Sequence, residues 1–464
     1  MKPGLLLIVP LSMALFGCAN VPDDSRPSAA LPAQFAATPP SQFTAILRPD
    51  WWALFDDSRL TGLVESALKN NVDVRLAASR VEETAAVLGI TQSANWPQLD
   101  LGAAVSRSRA SALNGQPLAP GGAESTTHRL ALSTSFEIDL WGKLRNANAA
   151  AQAQLLAAQY SQDAVQLALA ASTAQTYFSL RVLDAQLALN AATQTSREES
   201  LKLVDKRAAA GVASPLEAAQ ARAALAAVAA QRPELQRQRS LLENQLGVLT
   251  AEPGLQVAAS NALPQPAIAP AGLPSALLER RPDVRQAEAQ LQAARAQVQV
   301  VRAALWPTLS LSGSFGGQSA ELVDLLKGGA RIWSIGPSLL LPLIDGGRNA
   351  ARTEQARAQA EQAAIGYQKA VQAAFRDVAD ALASTAQGAA LEAEVDKQRA
   401  AAAEVLRIAT RRHEAGYAGY LEVLDAQRGV QEADLALLRT RTLRLDASVV
   451  LIKALGGGWV AQPR

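Results

Sequence analysis

Cysteine is nearly absent from this 464-residue chain: Cys18 is the only one, so no disulfide can form within it. Histidine is almost as scarce. His128 and His413 stand far apart with no cysteine or histidine at ligand spacing around them, which argues against a metal centre and leaves both as loop or surface residues. Aromatic residues make up 4% of the chain although 49% of it is hydrophobic, so alanine and leucine supply most of the apolar surface. That is the composition of long helices packed closely through small side chains. Neither sign of charge dominates: the formal net charge is +2 with both signs intermixed, and no basic patch of the kind that binds nucleic acid is present. There is no nucleophile–base constellation and no phosphate loop, since Gly456-Gly457-Gly458 falls at a helix end near the C-terminus. An enzyme is therefore not expected, and no cofactor is implied.

What the N-terminus does have is a secretory signal. Lys2 precedes an apolar run from Leu5 to Phe16, and Gly17-Cys18 follows it. The run is too short to span a bilayer, which takes about 20 residues. Cys18 sits where a bacterial lipobox places the residue to be acylated, and Ala19 follows where an Asp would resemble an inner-membrane retention signal. The expected order is a signal peptide over 1–17 and a lipidated linker over 18–59. The linker is rich in Pro, Ser and Ala, and its Trp51-Trp52-Ala53-Leu54-Phe55 cluster docks it onto the body.

The rest of the chain says the same thing twice. Asp73-Val74-Arg75 and Trp96-Pro97 recur as Asp283-Val284-Arg285 and Trp306-Pro307. Arg145-Asn146-Ala147 returns as Arg348-Asn349-Ala350, and Gly211 with Leu216-Glu217 as Gly416 with Leu421-Glu422. The offsets are 210, 203 and 205, a duplicated domain-sized unit and not a solenoid, whose repeats run about 20–50 residues. The first repeat is expected over 60–250 and the second over 275–459, joined by a proline-rich connector over 251–274.

Each repeat reads as helix, strand, strand, very long helix, helix. Helical periodicity runs from about Leu60 to Ala94. Leu99, Leu101, Ala103 and Val105 then alternate with polar or small residues, as do Leu130, Leu132, Thr134, Phe136 and Ile138, giving strands over about 97–109 and 128–140. The second copy places strands at about 307–316 and 333–343. Ten residues with one apolar and one polar face suit a tilted transmembrane β-strand, although a soluble half-buried hairpin has the same alternation. Residues 143–210 contain neither glycine nor proline, enough for one helix of about 100 Å. The matching long helix is expected over 347–415. Gly211 and Gly416 end the two as left-handed caps. Return helices follow over 216–249, where Pro233 is expected to bend or break the helix, and over 420–455.

Four strands cannot close a membrane barrel, whose smallest form has about eight, and an open edge in lipid leaves backbone groups unsatisfied. Helices near 100 Å exceed the roughly 30 Å apolar thickness of a bilayer and must project into water. An oligomeric tube satisfies both demands. A passive porin would explain the strands without the long helices. A structural coiled-coil lipoprotein would explain the helices without the hairpins.

Cys18, Trp-Pro before each first strand, Asp139-Leu140-Trp141-Gly142, Asp345-Gly346-Gly347-Arg348, Leu424-Asp425-Ala426-Gln427-Arg428 and Lys453-Ala454-Leu455-Gly456-Gly457-Gly458-Trp459 together resemble the TolC/OprM outer-membrane efflux family, and within it the NodT-type lipoproteins. The resemblance covers nearly all of the mature chain. It implies a mixed α+β membrane protein: a homotrimer whose twelve-stranded outer-membrane β-barrel, four strands per chain, continues into a periplasmic α-helical barrel. It also implies a periplasmic adaptor (membrane fusion protein) and an inner-membrane pump of the resistance-nodulation-division type. The function implied is the exit duct of a tripartite efflux system, with a type I secretion channel as the alternative.

Glu422 and Asp425 at i, i+3 and Leu421 and Asp425 at i, i+4 share one helix face, which by spacing alone reads better as a solvated acidic surface. In the family the matching positions line a periplasmic constriction. Their first-copy counterparts are Glu217 and Gln220, and the second copy alone carries the acidic pair. The tight turns holding Gly211, Val212 and Ser214, and Gly416, Tyr417 and Gly419, are the expected adaptor contacts.

Overall fold

The computed structural model describes residues 48–111, 124–267 and 280–458, so Cys18 and Trp459 lie outside the described residues. The chain clusters into two compact units. Of the described residues, one takes Ala86–Gln154 and Ala289–Ile365, and the other takes those of Ala29–Ala85, Leu155–Glu288 and Gly366–Arg464.

The first unit holds a four-stranded antiparallel sheet in the order β1-β2-β3-β4, with β1 spanning Gln98–Arg109, β2 Glu124–Ile138, β3 Thr308–Ser319 and β4 Arg331–Leu340. β2 belongs to the first copy of the repeat and β3 to the second, and they pair directly. Register places Leu101 opposite Leu132, Leu132 opposite Phe315, and Phe315 opposite Trp333. Because side chains alternate along a strand, this row and its neighbours at Leu99, Val105, Phe136, Leu311, Ile335 and Leu339 share one apolar face. The other face is small and polar. Ser310 and Ser338 hydroxyls meet at 2.8 Å across β3 and β4, and so do those of Ser314 and Ser334. A side chain at Gly316 would collide with the Leu130 carbonyl at 2.1 Å, so glycine lets β2 and β3 approach there. β1 and β4 are the two edges. After β2, the indole of Trp141 stacks on Trp306 at 4.9 Å and donates to the Pro307 carbonyl at 2.8 Å.

The helices are α1 (Ser58–Asn70), α2 (Val72–Ser93), α3 (Lys143–Ala209), α4 (Pro215–Leu249), α5 (Pro282–Ala303), α6 (Arg348–Glu414) and α7 (Tyr420–Ala454). α3 and α6 contain 67 residues each. Carboxylates cap both: Asp139 accepts from the Leu144 and Arg145 amides, and Asp345 from those of Gly347 and Asn349. None of the described helices is long and apolar enough to cross a membrane.

Two details depart from the expected elements. The helix expected from Leu60 to Ala94 is broken at Asn71, whose extended backbone ends α1 while its side chain accepts from the Asp73 amide and donates to the Leu249 carbonyl at 2.9 Å. Pro233 does not break α4, which runs through it from Pro215 to Leu249. Close to the missing amide, the buried Asn190 of α3 donates to the Val228 carbonyl at 2.9 Å, tying the weakened stretch to its neighbour.

The core of the second unit gathers Trp51, Phe55, Leu60, Tyr177, Phe178, Leu246, Leu445 and Ile452, with Phe55 and Phe178 rings 4.9 Å apart. The described part of the connector has no regular structure but is well satisfied. Asp184 accepts from Arg239 at 2.6 Å and from the Ser260 amide at 3.0 Å, while Arg239 and Arg181 donate to the Val257 and Ala258 carbonyls. Gly456 is required by packing, since a Cβ there would meet the Arg280 carbonyl at 2.2 Å.

Candidate functional site: the paired hairpin tips

Each long helix turns back through a glycine in the left-handed region, Gly211 at φ +75° and Gly416 at φ +78°. Matching hydrogen bonds close the turns. Val212 donates to Arg207 and Tyr417 to Arg412, both at 2.9 Å, and Gly211 and Gly416 donate to Ala208 and His413 at 3.0 Å. The pair of bonds is the Schellman pattern at both tips.

The tips differ in how the return helix begins. Ser214 caps α4 through the Glu217 amide at 3.2 Å, and the Glu217 carboxylate returns to the Ser214 amide at 3.3 Å, a complete capping box. Gly419 leads α7 with no side-chain cap. The Glu217 carboxylate is thus occupied in holding its own helix start.

Val204, Ala218 and Ala221 of the first hairpin pack with Tyr420, Val423 and Leu424 of the second in one buried cluster. Burial of 420, 423 and 424 turns the opposite face of α7 outward. Leu421 is 58% exposed, and Glu422 and Asp425 are exposed beside it. Gln220 and Glu217 are half-buried. Gly211, Val212, Ser214, Gly416, Tyr417 and Gly419 are all exposed, Tyr417 at 80%.

Two features of this region escaped the sequence. His413 is half-buried and engaged on both ring nitrogens: its Nδ1 lies 3.0 Å from the Ala418 carbonyl, its Nε2 3.2 Å from Nη1 of Arg207, and its ring 5.7 Å from that of Tyr420. Arg197 on α3 is only 4% exposed, and its Nη1 finds no hydrogen-bond partner. Burial holds its guanidinium below the usual range, Tyr420 opposes that shift, and Arg428 on α7 adds to it. Burial raises the Tyr420 hydroxyl, with Arg197 and a hydrogen bond from Ser200 pulling the other way. Arg197 stands in the polar run Thr195-Ser196-Arg197-Glu198-Glu199, which gives no sign of burial.

A half-apolar antiparallel sheet with free edges, joined in one duplicated chain to helical hairpins of which the second has an exposed acidic tip, is an arrangement suited to an outer-membrane duct. The chain belongs to the outer membrane efflux protein family, which it matches over residues 63–252 and 273–457. Among curated relatives, the solvent efflux pump outer membrane protein SrpC of Pseudomonas putida is 35% identical over 96% of this chain and 97% of its own length. The cation efflux system protein CusC of Escherichia coli O6:H1 is 32% identical over 99% and 100%. A solved CusC structure superposes with a TM-score of 0.86 at 29% identity, covering 95% of this chain and 100% of that one. The open state of the Neisseria gonorrhoeae MtrE outer membrane channel gives 0.82 at 30% identity, covering 95% and 98%. The family is one of efflux ducts in the outer membrane and not of enzymes.

Proposed function

We propose that three copies of this chain close a twelve-stranded barrel in the outer membrane, and that their helices form a periplasmic tube narrowed at the tip of the second hairpin. The observation that carries the reading is the sheet, with its continuous apolar face and its two unpaired edges. Hydrocarbon offers no hydrogen bonds, so those edges must pair before the sheet can sit in lipid. β4 of one copy beside β1 of the next repeats the order already made within the chain by β2 and β3.

At the tip, Leu421, Glu422 and Asp425 point away from the hairpin core on a helix without a side-chain cap. Three copies bring six carboxylates near one axis, where like charges favour a bound cation and make the pore cation-selective. Glu217, engaged in its capping box, and half-buried Gln220 act as the frame. Replacing Glu422 and Asp425 with Ala is expected to raise single-channel conductance and lower cation selectivity in planar bilayers. Unchanged conductance and selectivity would remove the constriction from this site.

The exposed turns at Val212 and Tyr417 receive a periplasmic adaptor that joins the duct to an inner-membrane pump of the resistance-nodulation-division type, and Cys18 carries the lipid anchor. Photo-cross-linkers at Val212 and Tyr417 are expected to capture the adaptor, and capture at neither position excludes this docking mode. Relatives of comparable identity are named for solvents and for cations, which supports a duct whose cargo is selected upstream.

A further inference from the structure

We propose that His413 is a proton-operated clasp that holds the two hairpin tips of one chain together when neutral and releases them when it gains a second proton. A carbonyl only accepts, so the 3.0 Å contact with Ala418 fixes the proton of the neutral ring on Nδ1. Nε2 is then a lone-pair acceptor. Arginine only donates, so the 3.2 Å contact is a hydrogen bond from Arg207 into that lone pair. The bond joins the last turn of α3 to the last turn of α6 and so links the two copies of the repeat. Protonation at Nε2 removes the acceptor and sets two cations against each other at hydrogen-bond distance.

No carboxylate is paired with the ring, and its direct polar partners are a cation and a carbonyl. On α3 the facing group is Arg207, and the nearby Asp205 is engaged with Arg222 at 2.9 Å. On α4, Glu217 is held in its capping box. On α7 the Tyr420 ring packs against His413, and Glu422 projects from the exposed face. On its own turn Arg411, Arg412 and Glu414 are exposed. Among the described residues no carboxylate forms an ion pair with His413 or Arg207. Ten residues earlier on α3, Arg197 is buried with Nη1 unpartnered and with Arg428 of α7 nearby. Protonation therefore adds a cation to a half-buried contact without a paired carboxylate, where like charges repel more than in open water. The release is an opening of the tip, so the functional consequence rests on the constriction placed there.

The test uses the full-length protein in two measurements from about pH 8 to about pH 5, the range in which imidazoles titrate. Spin labels at Ala208 and Ala415 read the separation of the tips, and planar bilayers read the conductance. The wild type is expected to show a wider tip and a severalfold higher open probability at the acid end. His413→Gln, which cannot gain the charge, should give a flat profile in both. His413→Lys should hold the tip wide at every pH, and Arg207→Gln should blunt the acid response. A wild-type tip distance that ignores pH, or a His413→Gln variant that keeps the response, overturns the clasp. A distance that responds while conductance does not supports the clasp and removes the constriction.

Discussion

Single carboxylates in this chain take their roles from burial and partners more than from sequence position. Glu217 and Glu422 are equivalent in the repeat, yet the first completes a capping box and the second stands exposed beside Leu421. Asp446 on α7 is a third case: one carboxylate oxygen is buried without a hydrogen-bond partner, and burial pushes its pKa up to about 6. A carboxyl raised in the fold above its unfolded value of 3.8 favours folding while protonated. That contribution is complete below the unfolded value and is lost as pH rises through about 6. Asp446→Asn is therefore expected to raise stability at neutral pH by about 1 kcal/mol, once partial exposure is allowed for, and to flatten the pH dependence between those limits. Thermal melts of the detergent-solubilised protein at several pH values check both; an unchanged slope with pH means that Asp446 titrates normally.

At the scale of elements, local rules and distant partners divide the work. The alternation at Leu99, Leu101, Ala103 and Val105 and the glycines at 211 and 416 are short-range signals, and strands and turns form there. The capping box is equally local, spelled out as Ser214-x-x-Glu217. Ser214→Ala is expected to cost about 1 kcal/mol and to increase hydrogen exchange in the first turn of α4. The uncapped start of α7 should exchange fast in both proteins, and equal protection of the two tips in the wild type would contradict the asymmetry. Other features rest on partners remote in sequence and left no periodic trace. Asn71 breaks the first helix with help from the Leu249 carbonyl, and α4 passes Pro233 beside Asn190. His413 finds Arg207 at a separation of 206 residues.

For the whole molecule, the duplication made the architecture readable because each copy confirms the other's strands and helices. The faces of the sheet followed from period and register together, since alternation shows that two faces exist and pairing shows that the apolar residues of all four strands line up on one. This division is open to test. Leu101→Arg on the apolar face is expected to reduce the outer-membrane fraction severalfold, in keeping with a cost of about 2–4 kcal/mol for such a charge in lipid. Ser312→Arg on the serine face should leave it close to wild type. Equal losses for the two variants would assign the faces wrongly.

The unpaired edges at β1 and β4 also set an order of events in time. On the proposed three-chain barrel, the sheet has to meet its neighbours before it enters lipid, which makes insertion a matter of encounter between newly exported chains. The yield of inserted duct should therefore rise faster than linearly with expression. At low dosage the cell would hold exported chains that never become channels, with their apolar faces and open edges left to chaperones and proteases.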